Sequence, residues 1–180
     1  MDEGALEALR RGAGIAVDVD GVFTQHGRLV EHPRVQRLFH AGLAIRADGE
    51  VVLTVGPWWC YVEVARTAFF VEAFRRAARG ESEAGPAASP WEAALLGGRQ
   101  VSLAGGLLGY GPDGRIYLWA PELAGPAILL RSAHMQVMGA LGSSDSADGQ
   151  ALGVLFCELE AVPTHQTPRP MAQAGLSISR

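Results

Sequence analysis

The chain has no lysine and no asparagine, only two cysteines, and no run of eighteen apolar residues. Each absence removes a class of function. Without lysine there is no Schiff-base residue for pyridoxal phosphate and no phosphate-loop lysine. Without asparagine there is no N-glycosylation site. Two cysteines, Cys60 and Cys157, sit in apolar strand-like runs and read as buried free thiols rather than a disulfide or redox pair. The lack of a long apolar run speaks against a membrane-spanning helix, and Met1-Asp2-Glu3-Gly4 opens on acid rather than on a signal-peptide core. The expected location is the cytoplasm. All 15 cationic residues are arginine, in keeping with GC-rich coding, so any anion must be held by arginine, histidine or backbone amides.

What the chain does have is ordinary globular material. Of its 180 residues 48% are hydrophobic and 19% charged, enough to bury about 70% of the unfolded surface in one domain or two small ones. A net charge of -4 and a pI near 5.7 oppose the counterion-releasing basic surface that nucleic-acid binding requires. Neither nucleic acid nor membrane is an expected partner.

The main organising signal is a repeat. Asp20-Gly21, a short apolar strand and a helix start at Pro33 return in outline at Asp113-Gly114, Ile116-Tyr117 and Arg131-Ser132. The pattern predicts a lead-in helix over residues 3–11 and strands over 15–19, 22–24 and 28–30. A helix over 33–41 follows, with Leu38 and Phe39 covering a sheet. Strands over 51–55, 59–64 and 68–72 complete an antiparallel meander. Residues 77–90, rich in Gly, Ala, Ser and Pro, read as a linker. Beyond it come strands over 91–96, 99–103, 115–119 and 127–130. A helix over 132–141 is next, capped by Ser132, with Met135, Met138 and Leu141 facing the sheet. A polar loop over 143–150 leads to a last strand over 152–159. The expected fold is α+β: an N-terminal unit over 1–76, a C-terminal unit over 91–162, each a small antiparallel sheet with a packed helix, and a mobile aperiodic tail from 163 to 180.

No catalytic signature is present. His26, His32 and His40 lack partners at a metal-ligand spacing, and His32 before Pro33 reads equally as a helix cap. There is no Gly-x-Ser-x-Gly elbow. The glycines of residues 105–111 are followed by a turn and a strand, not by the helix a dinucleotide fingerprint opens, and read as hairpin turns. No metal and no cofactor is indicated. Trp58, Trp59, Tyr61, Tyr117 and Trp119 concentrate on two strands, one in each half. Sheet faces alternate, so about half of these rings belong to a core and the rest to a surface or cleft. With arginines nearby, such a surface could stack a ring and pair a phosphate. The expected binding residues are His32, Arg34, Arg37, Trp59, Tyr61, Arg99, Tyr117 and Arg131.

The ordered pieces Asp20-Gly21-x-Phe23, Arg34-Val35-x-x-Leu38-Phe39, Asp48-Gly49-x-Val51-Val52-Leu53-Thr54-Val55, Val62-Glu63-Val64 and Ala68-Phe69-Phe70-Val71 resemble the bacterial domain-of-unknown-function family 1285. Gly98-Arg99-x-Val101-x-Leu103, Asp113-Gly114-x-Ile116-Tyr117 and Ala127-Ile128-x-x-Arg131 continue the resemblance, which covers roughly residues 14 to 141. It implies a duplicated α+β architecture whose second unit is superficially like a pleckstrin-homology fold. It also implies a cleft between the units for a nucleotide-like ligand, and a role in signal transduction without an assigned reaction. Two departures stand out: Gly56-Pro57-Trp58-Trp59 replaces a charged stretch, and His134-Met135 replaces an aromatic pair.

The sequence therefore points to a non-catalytic ligand-binding or regulatory module with a small-molecule, nucleotide-like partner at the interdomain cleft. Two alternatives stand beside it: a protein-interaction or homodimerising domain, and a small enzyme using His26 or His32 as acid/base.

Overall fold

A computed structural model describes residues 2–77, 91–142 and 154–170. Nearly all of the expected linker, the polar loop over 143–150 and the tail beyond 170 lie outside the described residues. Among the described residues the architecture is α+β, with two sheets, three helices and one apolar core running through both sheets.

The first sheet takes β1 (Ile15–Val17), β2 (Phe23–Gln25) and β3 (Arg28–Leu29), then, after helix α2 (Pro33–Gly42), β4 (Leu43–Ile45), β5 (Val51–Val55) and β6 (Trp58–Val64). Its order is β3-β2-β1-β6-β5-β4, two antiparallel meanders joined by the parallel pair β1–β6. Helix α1 (Glu3–Arg11) precedes it and lies on β6. Helix α2 starts as its sequence predicts: Pro33 occupies the first turn and His32 Nδ1 accepts the Arg34 N–H at 3.2 Å. The amide of Gln36 ties the helix to the hairpin beneath, accepting from Phe23 N at 3.0 Å and donating to Val30 O at 2.7 Å. Phe39 turns inward onto Phe23, whereas Leu38, expected in the core, is 49% exposed.

The second sheet holds β7 (Phe69–Arg76), β8 (Trp91–Leu95), β9 (Gln100–Ser102), β10 (Leu107–Tyr110), β11 (Ile116–Trp119), β12 (Ala127–Leu129) and β13 (Leu155–Glu158), in the order β13-β10-β11-β12-β7-β8-β9. Here too two meanders meet at a central parallel pair, β7–β12. The strand expected to end the first meander thus pairs in the other sheet, between β12 and β8. Its apolar pattern announces a strand but not the partner; that depends on chain direction through Ala65-Arg66-Thr67-Ala68. Strands β4 and β10 arise where no strand is expected, β10 in the glycine-rich stretch read as turns.

Helix α3 (Arg131–Gly142) packs on β7 through Ala133 and Val137, both fully buried. Met135 and Met138, expected to face the sheet, are exposed, because the buried stripe is carried by the smaller residues two places before Met135 and one before Met138. Ser132 is not the cap; it lies within the helix and its hydroxyl donates to Glu72 O across the sheet.

The two sheets meet at a seam built from aromatic and glycine positions. Phe23 packs edge-on to Phe39 and His40 at 5.2 and 4.8 Å, and His40 meets Phe70 of β7 at 5.5 Å. At Gly97, with φ 91°, an added Cβ would strike the backbone of Ala41 in α2. The two Asp-Gly turns face across the same seam. Arg115, next to the second turn, donates to Asp20 Oδ1 at 2.9 Å and to Val19 O at 3.2 Å, while Asp113 accepts from Tyr117 at 2.8 Å with Arg66 at 3.8 Å. The segment after Val162 carries more contacts than the mobile tail expected of it. Its Thr164–Thr167 turn is closed by Thr164 N donating to Thr167 Oγ1 at 2.8 Å, and His165 N donates to Arg66 O at 2.5 Å. Trp119 Nε1 donates to Thr167 O at 3.4 Å, so the segment straps both sheets.

Adjacent glycines separate backbone strain from packing. Gly97 and Gly98 have nearly the same left-handed φ, 91° and 89°, but only Gly97 is crowded. Gly98→Ala is expected to lose about 1 kcal/mol in urea unfolding, the cost of a side chain at positive φ. Gly97→Ala should lose at least ~2 kcal/mol more as α2 is pushed from the seam. Equal losses would show that the close approach is not maintained.

Candidate functional site

Alternation along β6 sends Val62 into the core and Trp59, Tyr61 and Glu63 to the opposite face. Trp59 and Tyr61 sit edge to face, 5.3 Å between ring centroids. Helix α1 lies over them. It is capped by Asp2, whose Oδ1 accepts from Ala5 N at 2.7 Å, and its i, i+3, i+4 spacing puts Glu7, Arg10 and Arg11 on the side facing the strand. Arg10 stacks 4.0 Å above Trp59 and Arg11 3.9 Å above Tyr61. Arg46 approaches the same rings at 5.5 and 5.9 Å.

Arg11 also forms a two-point bridge to Glu50, at 2.8 and 2.9 Å. The hydrogen bond from Arg11 holds the Glu50 carboxyl below its ordinary range and the guanidinium above its own. A hydrogen bond to Glu7 pushes the Tyr61 phenol up.

Below this cluster opens a cleft of about 400 Å³, lined by Arg11, Glu50, Tyr61 and Glu63 from the first sheet and its helix and by His165 and Gln166 of the C-terminal strap. That volume lies within the usual range of small-molecule sites. Its floor is Gly14-Ile15 and Val62, on the central parallel pair. Gln166 Nε2 reaches Gly49 O at 3.4 Å and holds the strap against the β4–β5 turn. His165 Nδ1 is buried without a hydrogen-bond partner among the described residues, a situation that costs roughly 1–3 kcal/mol until something bonds it.

Two other hollows are less suited to a ligand. At the seam, His40, Phe70, Leu96 and Arg99 surround about 30 Å³, room for a single water. Along the β2–β3 hairpin a groove of about 660 Å³ has all five lining residues between Gln25 and Val30, so nothing converges on it from another element.

Of the eight residues expected to bind, the structure brings two together, Trp59 and Tyr61, and the arginines over them are Arg10, Arg11 and Arg46 rather than the expected ones. His32, Arg34 and Arg37 lie exposed at the start and along the outside of α2. Arg99 donates to Glu122 O at 2.6 Å near Phe69, and Arg131 opens α3 at the surface. Tyr117 is fully buried, and burial together with its bond to Asp113 pushes its phenol well above the usual range. His26 sits at φ 48° in the β2–β3 turn with its ring over Gly14, and His32 spends Nδ1 on the helix cap. No group of three or more His, Cys, Asp or Glu among the described residues is placed to hold a metal. Cys60 and Cys157 are free and half-buried, which pushes both thiols up. Sequence reasoning missed Arg10, Arg11, Glu50, His165 and Gln166. The Glu7-x-x-Arg10-Arg11 spacing on an amphipathic lead-in helix is the signal for the first two; the aperiodic strap carries no such signal.

The sequence matches no protein-family model and no curated protein. Among solved structures, a DUF1285 family protein from Silicibacter pomeroyi DSS-3 superposes with a TM-score of 0.53 at 17% identity, covering 84% of this chain and 80% of that one. A second DUF1285 family protein, from Shewanella baltica OS155, gives 0.47 at 17% identity over 71% of this chain and 91% of that one. The first likeness is one of fold: the chain has a DUF1285-like α+β fold, in keeping with the motif order in its sequence.

One titration follows from the seam. Burial pushes His40 below its ordinary value of 6.5, against a hydrogen bond at 2.8 Å to Gly21 O. Below pH 6.5 the unfolded chain then binds more protons than the folded one, so the stability contributed is full above that pH and falls as the pH drops beneath it. Urea unfolding at pH 7.5 and pH 5 should show a smaller acid loss in His40→Gln than in the parent; identical losses would contradict the assignment.

Proposed function

We propose that this DUF1285-like fold serves as a non-catalytic, regulatory ligand-binding module in signal transduction, with its site in the cleft between the first sheet and the C-terminal strap. The observation that carries the reading is a cleft of ligand size assembled from separate chain segments, with His165, whose Nδ1 is buried and unbonded among the described residues, in its wall. Tyr61 offers a ring, Gln166 a donor and an acceptor, and Glu63 acceptors. Together they complement a flat heterocycle with polar edges, the base end of a nucleotide-like molecule. The phosphate end is less well served, since Arg11 is already committed to Glu50, and Arg34, Arg37 and Arg131, without an ion pair among the described residues, stand on α2 and α3.

Duplication belongs to the same proposal. In both sheets two three-stranded meanders join through a parallel pair between the first and sixth strands of the run, β1–β6 and β7–β12, and this common order supports it. The pleckstrin-homology-like character of the second unit draws on the seven-stranded sheet that its six strands form with β7, and on its single packed helix. Self-association is a second reading, favoured by Met135 and Met138, 63% and 45% exposed side by side on α3.

A thermal-shift screen with nucleobases, nucleosides and nucleotides tests the first reading. A ligand at a hundred times its dissociation constant adds about 2.7 kcal/mol, and the resulting shift should vanish in Tyr61→Leu and shrink in Gln166→Ala. No shift with any of these ligands, joined to a stable dimer by light scattering that Met135→Glu dissociates, would replace it with the second.

A further inference from the structure

We infer that α1 is a lid over this cleft, hinged at Gly12-Ala13 and latched by Arg11, so that the protein regulates its own site by filling it. The inference rests on the cleft being the ligand site.

The first ground is how α1 is held. None of its side chains is buried, and Leu9 is 62% exposed. What attaches it is mainly polar and at the surface: Arg10 on Trp59, Arg11 on Tyr61 and Glu50, and the Tyr61 phenol on Glu7, beside a half-buried Leu6. Exposed ion pairs and guanidinium–ring contacts are individually weak and the pairs are screened by salt, so a helix secured mainly by them opens far more often than the strand below it.

The second ground is where the chain can bend. The helix ends at Gly12, which donates to Ala8 O at 2.9 Å. By Gly14 the backbone is fixed again: its carbonyl accepts from His26 N at 2.7 Å, its φ is 62°, and the His26 ring lies where a Cβ would project. Rotation is confined to Gly12 and Ala13, close enough to the cleft for a small change to lift the whole helix.

The third ground is what Arg11 covers. It lines the cleft beside both of its partners, Tyr61 and Glu50. When it leaves, a ring face and a carboxylate become available in one movement. A flat ligand stacking on that face competes with the guanidinium for it, and its apparent affinity is lowered by the fraction of molecules that are closed. Weakening the latch should therefore strengthen ligand binding.

Hydrogen exchange on the full chain tests the lid without needing a ligand. Backbone amides of α1 that bond within the helix should exchange at least ~10-fold faster than those of β6. Glu50→Gln and added 0.5 M NaCl should each speed α1 by a further ~3-fold or more while leaving β5 and β6 unchanged. Protection of α1 equal to that of β6, or no response to Glu50→Gln, overturns the lid. The ligand arm uses whichever nucleoside or nucleobase shifts the melting temperature most, and Arg11→Ala should bind it severalfold more tightly. Weaker binding by Arg11→Ala would make Arg11 a ligand contact instead of a latch and also overturns the inference. Fast α1 exchange with no ligand found leaves a mobile helix but removes the ligand reading and with it the regulation; a bound nucleoside under a slow α1 keeps the ligand reading and overturns the lid.

Discussion

Four rings in contact hold the two sheets as one body. Phe23 of β2 touches Phe39 and His40 of α2, and His40 touches Phe70 of β7. The only polar ring among them, whose charged form burial disfavours, is aimed at Gly21 O, the backbone of the first Asp-Gly turn. Everything at the seam depends on this chain of contacts. It sets the height of α2, and so the fit of Gly97 under Ala41; it places the first Asp-Gly turn within reach of Arg115. With the second sheet fixed in this way, the strap that leaves it can cross to the β4–β5 turn and become a wall of the cleft.

Local rules were readable in the sequence wherever one residue decides the outcome. Pro33 and His32 start α2, Asp113-Gly114 turns the chain, and the branched and aromatic runs at Val51–Val55, Trp58–Val64 and Ile116–Trp119 are strands. Long-range choices were not. The run beginning at Phe69 reads as the third strand of a meander, yet pairs with Ala127–Leu129 more than fifty positions on, a partner that no local pattern names. Leu107–Tyr110 hides among glycines because Gly109 packs against Leu159, a neighbour supplied by tertiary structure. On α3 the methionines looked like the buried stripe by hydrophobicity, but the close approach to β7 favours Ala133 and Val137.

The site divides in the same manner. Trp59 and Tyr61 stood out because two rings at alternate positions of one strand must share a face. Their covering, Arg10 and Arg11, belongs to a helix that looked like a frayed lead-in. Composition gives the arginines a further meaning: in a chain without lysine, every cation that can meet a ring is a flat guanidinium, which lies on an aromatic face better than an ammonium does.

The two central parallel pairs bear on how the chain reaches this state. Most antiparallel neighbours here are joined by short links, but Ile15 finds Val62, and Phe69 finds Ala127, only after the whole intervening chain is available. During synthesis the middle of each sheet therefore stays open until β6, in the first, or β12, in the second, has left the ribosome. Local hairpins first and the centre last, rather than growth from one edge, is the folding order that this strand arrangement imposes.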